Sequence, residues 1–152
     1  MKAVVQRVSR ASVTVDGELI SKIGKGYLIL LGVMDDDNKE DVEILARKIA
    51  NLRVFEDEDG KMNRDIQNVS GEILAVSQFT LCADLKKGNR PSFIRSAHPD
   101  FANDLYEYFC AKLLENGVKN VVKGIFGADM KVDLLNDGPV TILYDSEIWR
   151  KK

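Results

Sequence analysis

The order of apolar runs along the chain predicts an α+β fold. It is read as one domain over residues 1–152, with a largely antiparallel β-sheet that curls towards a barrel and two main helices. Three observations predict it. Residues 4–33 alternate and turn as a three-stranded meander. Two later stretches repeat their apolar residues at helical spacing. Short apolar runs stand between and after those stretches, which gives the order βββ-α-β-α-βββ. A chain of 152 residues suits one sizeable core, and no repeat, low-complexity tract or linker interrupts it.

Val4, Gln6, Val8 and Arg10 alternate, and Ser12 to Val15 follow, so residues 4–15 read as one long strand, or a strand with a bulge near Ala11 where the alternation slips. Asp16-Gly17 is a two-residue hairpin signal. Glu18 to Ile23 returns, Gly24-Lys25-Gly26 turns again, and Tyr27 to Val33 is apolar on both faces, the mark of a central strand. Asp35-Asp36-Asp37 is a loop, and Asn38 is a helix N-cap. Val42, Leu45, Ile49 and Leu52 repeat at helical spacing behind acids in the first turns. The acidic run Glu56 to Gly60 invites a calcium loop, but the residue six after Gly60 is Ile66 where an EF-hand needs Glu; a solvated turn is expected. Ile73 to Leu81 reads as a strand, and residues 84–96 as a basic loop. Pro99 opens the second helix, whose face runs through Phe101, Leu105, Tyr108, Phe109, Lys112 and Leu113 to Gly117. Val121 to Phe126, Met130 to Leu135 and Val140 to Tyr144 read as strands, with a turn at Asn136-Asp137-Gly138-Pro139.

Composition narrows the function classes. Hydrophobic residues make up 45% and charged residues 30%, ordinary for a globular domain. No apolar run approaches the roughly 18 residues that cross a bilayer. A charge within Met1 to Arg7 comes too early for a signal peptide, so a cytoplasmic protein is expected. Lys and Arg number 22 against 24 Asp and Glu, a net charge of −2, so a nucleic-acid partner would be touched by a small basic patch and not along a broad face. Cys82 and Cys110 stand apart and read as small core residues, not a disulfide or zinc site; no metal or cofactor is expected.

The chemistry-bearing stretch is Ser77-Gln78-Phe79-Thr80-Leu81. An apolar strand stops there at a hydroxyl, an amide, an aromatic ring and a second hydroxyl, where a scaffold presents a site. Ser and Thr also satisfy nearby backbone at strand ends, so the stretch alone decides nothing. The single histidine, His98, precedes Pro99 and reads as a helix cap or an exposed side chain. No nucleophile elbow, HExxH, P-loop or dinucleotide fingerprint appears, and no base for Ser77 or Thr80 is visible. The second unusual stretch is Asn136-Asp137-Gly138-Pro139-Val140-Thr141. It is turn chemistry, yet Gly-Pro can be cis and would then set two carbonyl oxygens side by side with no side chain at Gly138.

These two stretches resemble the paired signatures of the D-aminoacyl-tRNA deacylases, the D-tyrosyl-tRNA deacylase family. The resemblance spans the chain and includes Met1 to Val8, Arg90-Pro91-Ser92-Phe93 and Phe126-Gly127-Ala128-Asp129-Met130. It implies a homodimer with active sites at the subunit interface, acting on the aminoacylated 3′ end of tRNA. By that resemblance Ser77, Gln78 and Thr80 are the catalytic residues, and Phe79 and Met130 line the pocket for the terminal adenosine. Gly138 and Pro139, lent by the partner, would hold the α-ammonium and expel an L side chain, while glycine could slip through. Lys86, Lys87, Arg90 and Arg95 would touch tRNA. The family offers Thr80 as nucleophile or the tRNA 2′-OH as the group that assists water; the missing base favours the second. The rival expectations are a hydrolase of small acyl esters and a non-catalytic tRNA-binding module.

Overall fold

The computed structural model describes residues 1–151. The chain runs β1 (Lys2–Val15), β2 (Glu18–Ile23), β3 (Gly26–Gly32), α1 (Lys39–Ala50), β4 (Phe55–Glu56), β5 (Met62–Arg64), β6 (Glu72–Ser77), α2 (Pro99–Glu115), β7 (Asn120–Lys123) and β8 (Lys131–Asp145). Short 3₁₀ turns cover Phe79–Cys82 and Ser146–Trp149.

β1 organises the sheet. β8 pairs along its whole length on one edge; β3 takes residues 2–8 of the other edge and β2 takes residues 11–15. β6 adds to β3, and β7 to β6. The three pairings of β1 are antiparallel, but β3–β6 and β6–β7 are parallel, so the sheet is mixed. The sheet curls until it is nearly a barrel, as expected.

Two cores follow from that curl. Val8, Ala11, Val13, Ile23, Leu28, Leu74 and Val76 fill its inside. Ala3, Val5, Tyr27, Ile29, Leu31, Ile73 and Ala75 face outward and meet Leu45 and Ile49 of α1 and Leu105, Phe109 and Leu113 of α2. β3 feeds both cores, which is why it is apolar on both faces. The expected bulge in β1 lies just before Ala11: Val8 pairs with Asn136 but Arg10 with Leu135, so Ser9 is the extra residue. It moves the inward set from Val8 to Ala11 and Val13.

Three expectations need correction. The strand from Ile73 ends at Ser77, not Leu81. Gln78 N–H makes the last ladder bond, to the Leu31 carbonyl at 2.8 Å, and the chain then winds into the turn at Phe79–Cys82. That turn lies hard against Gly32, where a Cβ would stand 2.9 Å from the Leu81 Cβ. β7 stops at Lys123, short of Phe126. Residues 131–145 form one strand, so Gly138-Pro139 is an excursion within β8 and not a hairpin between two strands. The acidic run is an exposed turn, and it closes a small hairpin, β4–β5, in which the Asp57 carboxylate accepts from Asp59 N–H, Lys61 N–H and Asn63 Nδ2. The capping expectations hold. Asn38 accepts from Glu40 and Asp41 N–H, and His98 Nδ1 accepts from Asp100 N–H. Both cysteines are buried.

One charged cluster ties the chain ends to the Asp35–Asp37 loop. The Met1 ammonium is fully buried against Asp37 and donates to Ser146 Oγ at 2.8 Å. Arg150 reaches Asp36 (2.8 Å), Asp37 (2.7 Å) and Asp41 (3.1 Å).

Candidate active site

β3 and β6 run parallel and end side by side, and open α/β sheets bind ligands outside such strand ends. A cavity of about 610 Å³ opens there. Val33, just past β3, and Val76, within β6, line it, with Ser77, Gln78 and Phe79 beside them. Phe93 meets Phe79 edge-on, ring centroids 5.0 Å apart. Phe126 and Met130 enter from the segment between β7 and β8, and His98 from the start of α2. Met130 needs Gly124 beneath it, since a Cβ there would stand 2.6 Å from its sulfur. The cavity is therefore largely apolar, with Ser77, Gln78, Ser96, His98 and Asp129 as its polar lining, the form of a small-molecule site.

Ser77 and Gln78 are half-buried, whereas Phe79 and Thr80 are exposed. The Thr80 hydroxyl donates to Gln78 Oε1 at 2.6 Å and does not line the cavity. Its neighbour is an amide oxygen, which cannot take a proton at neutral pH. His98 and Asp129 are the titratable side chains on the cavity wall. Neither thiol joins them: burial pushes Cys110 up to about 12 and raises Cys82 as well. Among the described residues no cluster of histidine, cysteine and carboxylates has the form of a metal site.

The second stretch lies elsewhere on the same chain, and none of residues 136–141 lines the cavity. β8 pairs Thr141 with Gln6 and Asn136 with Val8, so residues 137–140 stand out opposite the single residue Arg7. Asn136 Nδ2 closes the base of this excursion by donating to the carbonyls of Arg7 (2.9 Å) and Val140 (3.0 Å). Asp137, Gly138 and Pro139 are exposed, and the Gly138-Pro139 peptide is cis. Gly138 has φ +130, and a Cβ there would meet Val140 Cγ2 at 2.8 Å and Arg7 Nη2 at 3.1 Å.

Arg7 is the residue that sequence reasoning missed. Only 7% exposed, it donates from Nε to the Asp137 carbonyl at 3.1 Å and from Nη1 to the Val54 carbonyl at 2.6 Å. A signal was present: Ala3, Val5 and Arg7 share one face of β1, and a charge on a core-facing register needs a dedicated partner.

The basic loop leaves the cavity rim between paired Asp84 and Ser92, and Lys86, Lys87 and Arg90 lie exposed between them. Arg95, beyond that stem, is paired with Asp35 at 2.9 Å and Asp36 at 3.4 Å.

The family model described as D-Tyr-tRNA(Tyr) deacylase matches residues 4–145. Curated proteins named D-aminoacyl-tRNA deacylase are similar along nearly the whole chain. Those of Parabacteroides distasonis and Bacteroides thetaiotaomicron are each 56% identical, and that of Flavobacterium psychrophilum 55%, over 97% of this chain and 98% of theirs. Among solved structures, a c-Myc DNA unwinding element binding protein superposes with a TM-score of 0.90 at 48% identity, over 95% of this chain and 98% of that one. A probable eukaryotic D-amino acid tRNA deacylase shares the fold, with a TM-score of 0.80 at 16% identity over 94% and 97%. Among the described residues no helix is long and apolar enough to cross a membrane.

Proposed function

The chain belongs to the D-Tyr-tRNA(Tyr) deacylase family and is a hydrolase of D-aminoacyl-tRNA; from that premise we propose how its residues divide the work. The terminal adenosine enters the slot between Phe79, Phe126 and Met130, where stacking holds a base without demanding a sequence. The ester lies over Ser77 and Gln78, whose hydroxyl and amide donate to the oxyanion that forms when water adds to the carbonyl carbon. The bond to the ribose 3′ oxygen then breaks, releasing a D-amino acid and a free tRNA 3′-OH. Thr80 orients Gln78 through its hydroxyl and is not the nucleophile. The tRNA's own 2′-OH assists the water, so positioning replaces an internal base.

Chirality is judged by the excursion at Gly138-Pro139. It is exposed and lines no part of its own chain's cavity, and it acts in the cavity of a second copy. Its two carbonyls accept the α-ammonium there. An L side chain would strike the turn, a D side chain points away, and glycine passes. The working protein is accordingly a homodimer, in the cytoplasm, with each active site completed by the partner. Lys86, Lys87 and Arg90 reach the acceptor-end phosphates, few enough for a chain of net charge −2.

The observation that carries this reading is the largely apolar cavity at the ends of β3 and β6, lined by Ser77 and Gln78, with the Thr80 hydroxyl bonded to an amide oxygen and not to a base. The test is hydrolysis of D- and L-tyrosyl-tRNA by the same preparation, with the mass in solution measured alongside. Loss of the D ester alone, by a dimer, is the expected result. Equal rates on both esters, or a monomer at full activity, would defeat the reading.

A further inference from the structure

The cavity rim is made partly by the segment that carries Phe93, Ser96 and Ala97. Phe93 closes the aromatic edge against Phe79. On its N-terminal side, Ser92 pairs with Asp84, a stem internal to the loop itself. On its C-terminal side a turn closes through the Ser96 N–H to the Phe93 carbonyl at 3.0 Å. That turn is sewn to the end of β3: Ala97 N–H donates to the Val33 carbonyl at 3.0 Å and Asp35 N–H to the Arg95 carbonyl at 2.8 Å.

Within the turn Ile94 is 80% exposed and holds nothing. Arg95 is the side chain that reaches back. Its Nε donates to Asp35 Oδ1 at 2.9 Å and its Nη2 stands 3.4 Å from Asp36 Oδ1. The two carboxylates hold the guanidinium firmly charged. Asp36 is itself fixed on its other side by Arg150. A lone exposed ion pair does little. Here a planar fork meets two carboxylates, one of them already anchored, and such forks fix geometry as well as charge.

We infer that Arg95 is a positioning residue: through Asp35 and Asp36 it holds the 93–96 turn so that Phe93 stays against Phe79 and the mouth of the cavity keeps its shape for the terminal nucleoside. A guanidinium so engaged is spent on the protein and not on a tRNA phosphate. This rests on the deacylase reading of the cavity.

The experiment compares kcat and KM on D-tyrosyl-tRNA and on 3′-O-D-tyrosyl-adenosine, which carries no phosphate. The variants are Arg95→Gln, Asp35→Asn, Arg95→Lys and the charge-exchanged pair Asp35→Arg with Arg95→Asp. Arg95→Gln and Asp35→Asn are expected to raise KM alike, by about three- to fivefold, on both substrates, the scale of one exposed ion-pair network. kcat and thermal midpoint should stay near wild type, Arg95→Lys should recover part of the loss, and the exchanged pair more. A defect of Arg95→Gln confined to the tRNA substrate, with Asp35→Asn harmless or tighter-binding, would overturn the inference in favour of a direct phosphate contact. Unchanged KM in both single variants would overturn it outright. Failure of the wild type on both substrates would instead defeat the deacylase reading on which it stands.

Discussion

The Thr80 hydroxyl donates a hydrogen bond to the Gln78 amide oxygen at 2.6 Å, and that oxygen is not a base. A hydroxyl so placed shapes a neighbour and does not attack an ester. Thr80→Ala is therefore expected to keep kcat within about tenfold of wild type, whereas an obligatory nucleophile would cost on the order of 10⁶; single-turnover deacylation of D-tyrosyl-tRNA reads the difference. Arg7 has the opposite character. It is buried, and its removal strips a charged donor from the carbonyls of Asp137 and Val54. Arg7→Ala should cost about 3 kcal/mol in urea unfolding. Because it also loosens the base of the Gly138-Pro139 excursion, hydrolysis of L-tyrosyl-tRNA should rise about tenfold relative to the D ester, where one displaced contact is worth roughly 1.4 kcal/mol.

At the scale of elements, β3 and β6 must run parallel and close for their ends to frame a cavity. Gly26 permits it. A Cβ there would stand only 1.7 Å from the Glu72 carbonyl oxygen, at the first pair of the β3–β6 ladder. Gly26→Ala should cost more than about 4 kcal/mol and leave little folded protein by circular dichroism. Asn38→Ala, which removes a helix cap and touches no site residue, should cost only about 1 kcal/mol. These elements were legible where one local rule governs. Alternation gave β1 and β3, Asp16-Gly17 the first hairpin, and Asn38 and Pro99 the helix starts. Legibility failed where distant contacts outrank the local pattern. Nothing in Phe79-Thr80-Leu81 announces a 3₁₀ turn, because Gly32 on another strand makes room for it. Asn136-Asp137-Gly138-Pro139 reads as a hairpin turn, but β1 is long enough to keep both flanks on one strand. For the site, Ser77, Gln78, Phe79 and Met130 line one cavity, and Thr80 does not. Gly138 and Pro139 do not join them within one chain, and Arg95 proves to be held by acids that stand sixty residues earlier.

For the molecule as a whole, the cluster joining Arg150 to Asp36, Asp37 and Asp41 links stability to pH. Arg150's hydrogen bond is the main reason that the Asp36 carboxyl sits below its usual range. Burial works against ionised Asp41, but hydrogen bonds from Ser146, Asn38 and Arg150 outweigh it and lower that group too. Asp37 is held the other way, raised by burial against the pull of the Met1 ammonium. A carboxylate with a depressed folded pKa adds stability above its unfolded value, near 3.9, and loses it as pH falls towards the folded value. Arg150→Ala lets Asp36 and Asp41 drift back towards that ordinary value. The gap in thermal midpoint between wild type and variant should thus be widest near pH 7 and narrow below about pH 4. Calorimetry across that range would show a pH-independent gap if the arginine acted by packing alone.

Ser9 is the one residue of β1 that faces no partner in step, and it has a consequence for how the molecule comes apart. Ahead of it β1 lends Ala3 and Val5 to the layer under the helices; beyond it the same strand lends Ala11 and Val13 to the interior of the curl. Neither half can be shed while the other persists, since both hang on a single unbroken ribbon. Loosening at any point of that ribbon is felt in both compartments together, so the protein melts as one body, not as a shell peeling from a kernel.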